Sequence, residues 1–189
     1  MLSSIGKMLS GRSAEAEGSN ESPGETTKSE VSEALVDEFF KAIQDQDTES
    51  VRRLLVDHKT DLTTTRVRQK PATGVGFPAE VERDAYTLLG AYLGPMTGLQ
   101  YAILTGKDDI AKDILDATFE QDIDARFGNG NTALHLAVLL GASTMVSALV
   151  ERGADITLKN KRGYTVLDMS DNPGILDLLK AGGMQEEEE

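Results

Sequence analysis

A repeat with a step of 33 to 35 residues constrains this chain more than any other feature. With Asp37, Thr97, Thr132 and Thr165 as origins, a small residue stands five positions on in each copy: Ala42, Ala102, Ala137 and Ser170. Nine positions on come Gln46, Gly106, Gly141 and Gly174, and apolar pairs follow at Leu54 and Leu55, Ile114 and Leu115, and Leu149 and Val150. The origins are 60, 35 and 33 residues apart, so the first step carries an insertion. A period near 33 with two apolar runs per copy marks helix pairs that bury their faces against copies of themselves.

The spacing inside each copy is helical. Leu35, Phe39, Ala42 and Ile43 share one face, and after a polar "QDQD" Val51, Leu54 and Leu55 share another. Hydrophobic residues make up 39% of the chain and aromatics 5%, with no Trp, which favours helices packed through small aliphatics over an aromatic-rich sandwich. The predicted class is all-α.

The third copy carries the sharpest motif. "GNTALHLAVLLG" resembles the G-x-T-P-L-H-x-A-x-x-x-G core of an ankyrin repeat, and "LVERGADITLKNKRGYT" resembles its second-helix end and connecting hairpin. The resemblance covers roughly residues 34 to 180. It implies a solenoid of about four helix-turn-helix units, near 34–62, 95–126, 127–159 and 160–181, with short hairpin connections and one long insertion at 63–94.

Each motif residue has a physical reason. Thr132 stands where a helix begins and its hydroxyl is expected to cap an orphan N–H. Ala137 is small because helices approach closely there. Gly141 and Gly153 end their helices, where a positive φ suits glycine. In the family the imidazole at His135 ties neighbouring hairpins, which makes it a structural histidine. The second copy departs from the pattern with Gly98 after its Thr and Gln100 in place of His, so its tie is expected to be weaker.

Residues 1–33 and 182–189 are expected to be acidic tails, the first too poor in large apolar side chains to order. Together they hold −7 of a net charge of −13. Leu2, Ile5 and Leu9 within Met1 to Ser10 would share one face of a short amphipathic helix, the alternative being a flexible terminus, since ten residues are marginal for an isolated helix. In the insertion, "TTTRVRQKPATGVGFP" is locally basic, while "AEVERDAYTLLGAYLG" is apolar enough to form a short helix around Arg83 to Leu93. Tyr86, Leu88, Leu89 and Tyr92 either pack on the array or stand exposed.

An acidic chain repels phosphate backbones, so nucleic acid is not expected as a ligand. No Cys is present, which removes disulfides and thiolate chemistry, and no apolar run approaches the ~20 residues that span a bilayer. The expected setting is the cytoplasm, with the nucleus second. His58 and His135 are the two histidines, no phosphate-binding Gly-rich loop is complete, and Asp109 with Asp113 reads as a solvated helix face. No catalytic residue, cofactor or metal is expected.

Function is then expected in a surface, the concave side that the resemblance implies. The repeat phase places Gln44, Asp45, Leu104, Thr105, Leu139 and Leu140 at the ends of first helices. Met96, Asn131 and Tyr164 precede each Thr, and Phe127, Asn129, Lys161 and Arg162 lie at hairpin tips. Met96, Leu104, Leu139, Leu140 and Tyr164 would form an apolar patch, open to a protein partner or covered by Tyr86, Leu88, Leu89 and Tyr92 of the insertion. The expectation is a monomeric, non-catalytic adaptor or regulatory subunit. The alternatives are a regulatory or assembly factor for one enzyme or complex, or an adaptor recruited to membranes by Met1 to Ser10.

Overall fold

A computed structural model describes residues 32–68, 77, 79, 81–90 and 93–183. The segment Met1 to Ser10, Tyr92 and most of both expected tails lie outside them, but the tail bounds are corrected at their inner ends, where Ser32 and Glu33 open one helix and Gly182 and Gly183 close another.

The described chain is a stack of helix pairs. Helices α1 (Glu33–Asp45) and α2 (Thr48–Thr64) form the first, α4 (Gly98–Leu104) and α5 (Asp108–Ala117) the second, and α7 (Ala133–Leu139) and α8 (Ser143–Glu151) the third. In the fourth, a 3₁₀ turn (Val166–Met169) replaces the first helix and α9 (Pro173–Gly183) supplies the second. Each first helix packs on the next, α1 on α4 and α4 on α7, while α2, α5, α8 and α9 form the outer row.

Sequence accounts for these boundaries. Ser32, Asp47, Thr97 and Thr132 each cap a helix, their side chains accepting from a backbone N–H three residues on. Gly106 and Gly141 end the inner helices at φ of 66° and 68°, and Gln46 takes the same left-handed turn at φ 57°. The repeat demands that turn whether or not glycine is there to make it. Ala102 and Ala137 are fully buried where the inner helices meet. Gly98 also finds its reason here: a side-chain carbon in its place would stand 2.6 Å from the Phe39 ring, so the first pair's bulk is matched by the second pair's lack of it.

The first pair departs from the period at its end. Helix α2 continues past a kink at His58 (φ −131°, ψ 30°) to Thr64, so Thr63 is helical and buried where the insertion was expected to begin, next to the fully buried Leu62. The insertion is clasped at its base by strand β1 (Val67–Arg68), antiparallel to β2 (Pro95–Met96), with Val67 opposite Met96. Between these ends, α3 (Glu82–Asp84) runs into a π-helical turn (Ala85–Leu89) that stops at Gly90. A short helix α6 (Glu120–Ile123) leads into the hairpin before α7. Asp113, read from sequence as solvated, instead accepts from Arg52 Nε at 2.9 Å and ties α5 to α2.

Candidate functional site

The hairpins owe their placement to one recurring device at the start of each inner helix. His135 Nδ1 accepts from the Thr132 N–H at 3.2 Å, which leaves the proton on Nε2, and Nε2 donates to Tyr164 O in the following hairpin at 3.3 Å. Gln100 repeats both bonds: its Oε1 accepts from the Thr97 N–H at 2.9 Å and its Nε2 donates to Ala125 O at 2.6 Å. The expectation of a weaker tie in the second pair is therefore corrected. A primary amide, like a neutral imidazole, offers one acceptor and one donor at opposite ends. Asp168 has only acceptors, and it takes just the Thr165 N–H and hydroxyl, at 2.8 and 2.7 Å.

Burial holds the His135 imidazole below its ordinary range, since the charged form would lose its water. The neutral form is also the one the bonds require, because a protonated Nδ1 cannot accept from Thr132. His135 is fully buried and serves the fold.

The insertion packs on the hairpin side of the third and fourth pairs, with its turn against α7. Its turn ends in carbonyls that no further helical N–H can reach, as at any helix C-terminus. Side chains of the array supply the donors. Asn129 Nδ2 and Asn131 Nδ2 reach Leu89 O at 3.2 and 3.0 Å, Asn160 Nδ2 reaches Leu88 O at 2.8 Å, and Arg162 Nη1 reaches Thr87 O at 3.0 Å. Asn131 Oδ1 in turn accepts from Asn160 at 2.9 Å. Ala85 and Leu89 are buried in this contact, Leu88 is half-buried, and Tyr86 is exposed.

These contacts revise the predicted surface. Met96, Leu104, Phe127, Asn131 and Leu139 are buried, so the continuous apolar patch expected of Met96, Leu104, Leu139, Leu140 and Tyr164 does not stand open. Met96 is held in the β1–β2 clasp and Asn131 by the insertion. Asn129 and Arg162 also spend donors on insertion carbonyls. Leu140, Thr105 and Tyr164 remain half-buried, and Lys161 is exposed. Thr105 and Leu140 line an open groove of about 300 Å³ with Leu104, Gly106, Asp108 and Ala142.

Sequence reasoning missed Asn160 and Arg126. Asn160 is 5% exposed and its Oδ1 also accepts from the Arg162 and Tyr164 N–H groups, so it organises its own hairpin while gripping the insertion. Its place in a hairpin turn was the available signal, since Asn side chains hydrogen-bond the backbone two residues on.

Among the described residues no group of three or more His, Asp or Glu is arranged to hold a metal ion, and no helix is long and apolar enough to cross a membrane.

The model of the family of ankyrin repeats in many copies matches residues 114–170. Ankyrin repeat domain-containing protein 63 of Mus musculus is 36% identical over 83 residues, which are 42% of this chain and 21% of that protein. Ankyrin repeat domain-containing protein 29 of Homo sapiens is 43% identical over 53 residues, 28% of this chain and 18% of its own length. Palmitoyltransferase ZDHHC17 of Homo sapiens is 48% identical over 40 residues, 21% of this chain and 6% of its own length. The chain thus spans about a fifth or less of the length of these relatives. Ankyrin repeats are protein–protein interaction modules, generally without catalytic activity. The match over residues 114–170, the repeating helix pairs and the ties that His135 and Gln100 make to the hairpins together support an ankyrin repeat protein.

Proposed function

We propose that the chain is an adaptor or regulatory subunit, a monomer on its own, that holds a protein partner on the concave face of its array, formed by the hairpins and the inner helices α1, α4 and α7. The observation that carries this reading is the open groove at Thr105 and Leu140, lined also by Ile103, Leu104 and Ala142 and by no described residue of the insertion. Leu140, Thr105, Tyr164 and Lys161 are the proposed contacts. Cytoplasm and nucleus are the proposed settings.

The test is capture from cell extract by crosslinking, comparing wild type with Leu140→Asp. Leu140 is half-buried at a helix end, so an aspartate there keeps access to water and the array is expected to stay folded, as circular dichroism would check. A partner retained by wild type and lost by the variant supports the reading; equal capture by both sinks it.

The docked insertion favours a second, regulated form of the same reading. Thr87 to Leu89 occupy Asn129, Asn131, Asn160 and Arg162, donors that a partner's own backbone carbonyls would use. The insertion then competes with the partner, and binding is stronger once it is released. Replacing residues 79–90 by a Gly-Ser linker should tighten the partner complex; unchanged affinity would refute competition.

A further inference from the structure

The acidic balance of the chain hides a cationic cavity. Arg66, just before β1, Arg126, at the base of the third hairpin, and Lys161, at the tip of the fourth, line one cavity of about 310 Å³ with Pro95, Phe127, Gly128 and Gly130. Three separate parts of the fold bring their charges to this place in a molecule whose net charge is −13.

Two of the three cations are held in position. Arg126 Nη1 donates to Gly130 O and to Lys159 O, both at 2.9 Å, which bridges the two hairpins. Arg66 Nη1 donates to Arg126 O at 2.8 Å. In each guanidinium one nitrogen anchors the group, and the others have no acceptor among the described residues. No carboxylate among the described residues forms an ion pair with Arg66, Arg126 or Lys161. Asp124 lies close enough to feel Arg126 without pairing with it, its carboxyl raised mainly by burial.

Fixed guanidinium donors beside a mobile ammonium suit a compact anion with several oxygens. A phosphoryl monoester carries roughly −1.5 to −2 charges near neutral pH on three acceptor oxygens, against −1 for a carboxylate. The surrounding charge discriminates further. An extended run of Asp and Glu, or a nucleic-acid strand, would lay most of its charge along the acidic body and be repelled, whereas a phosphoryl group concentrates its charge at the cavity.

We propose that the cavity of Arg66, Arg126 and Lys161 binds the phosphoryl group of a phosphorylated serine or threonine on a protein partner. This rests on the reading of the hairpin side as the partner surface, and it names the chemistry that surface recognises. The global charge points to basic partners; the local cavity selects a doubly charged anion.

The experiment is a titration of the ¹⁵N-labelled full chain at pH 7.5 and low salt, following the Gly128 and Gly130 amides. The probes are the peptide Ac-Gly-Gly-phosphoserine-Gly-Gly-amide, its serine and glutamate counterparts, and inorganic phosphate. Saturable shifts are expected with the phosphopeptide, at least tenfold weaker with the serine or glutamate peptide. Lys161→Glu and Arg66→Glu, both at exposed positions, should each weaken binding at least tenfold, with Lys161→Arg close to wild type.

Equal affinity for the glutamate peptide, or shifts undiminished in Lys161→Glu, would overturn the proposal. Inorganic phosphate binding as tightly as the phosphopeptide would overturn the protein source. If the phosphopeptide fails while Leu140→Asp still loses the captured partner, only this inference falls and the adaptor reading stands.

Discussion

Replacing His135 separates the hydrogen bonds of the repeat from the residue that makes them. In His135→Ala the Thr132 N–H loses its acceptor at a fully buried site, and Tyr164 O loses the ring but keeps the Asn160 N–H. Each net bond contributes about 1 kcal/mol and an unsatisfied buried group costs about 1–3 kcal/mol, so with the cavity the loss is about 3–5 kcal/mol. His135→Gln restores a donor and an acceptor in the arrangement Gln100 already shows, and should cost about 1 kcal/mol or less. Urea unfolding at pH 7.5 measures both. A glutamine variant as damaged as the alanine one would show that ring packing, not the bonded pair, is what the position requires.

The same pair of proteins reports on pH. Burial lowers the His135 pKa from its ordinary 6.5, so the unfolded chain binds this proton more readily than the folded one. The stability it confers is complete above the unfolded value and is lost as pH falls below it, by up to about 1.4 kcal/mol for each pH unit until the folded value is reached. Asp124, raised by burial, works in the opposite direction at lower pH and is common to both proteins. The difference between wild type and His135→Gln should therefore shrink or reverse between pH 7.5 and 5.5. A constant difference across that window would refute the assignment of a buried neutral ring.

Three further perturbations have defined outcomes. Gln46→Gly relieves a left-handed residue at φ 57° and should raise stability by about 0.5–1 kcal/mol in urea unfolding. Gly141→Ala meets no atom within 4 Å but keeps φ at 68°, so it should cost about 1–2 kcal/mol through the backbone alone. Gly90→Ala would drive a methyl group into the Asn129 amide that holds Leu89 O; hydrogen exchange of residues 85–90 should quicken while α7 and α8 keep their protection. Loss of protection in α8 as well would mean that the insertion is part of the core.

The helix pairs were legible because their signals are local and repeated. Thr132, Ala137 and Gly141 each answer a need within one helix turn or between two adjacent helices, and the same needs recur at Thr97, Ala102 and Gly106. The role of Gln100 was misjudged because family likeness compares names of residues, whereas the fold requires only a donor and an acceptor at a set separation. Gly98 could not be explained until Phe39 was seen beside it, a contact between residues 59 positions apart in the chain.

The candidate surface was the less legible part. The repeat phase marked Leu139 and Asn131 as facing outward from the array, and it is silent on a segment that folds back onto Asn131. Asn160 gripping Leu88 spans 72 positions and obeys no period. Arg66 was recognised as basic, but its meeting with Arg126 and Lys161 depends on the β1–β2 clasp and on the hairpin tips together.

That clasp also uncouples the insertion from the spacing of the stack. Because Val67 stands opposite Met96, the two ends of the insertion are held together at one point, whatever length of chain joins them. The entropy of closing such a loop rises slowly, by only about 0.6 kcal/mol for each doubling of its length. Foreign segments of quite different size can therefore be inserted between the clasp and the docked turn at Ala85 to Leu89 while the helices on either side keep their register.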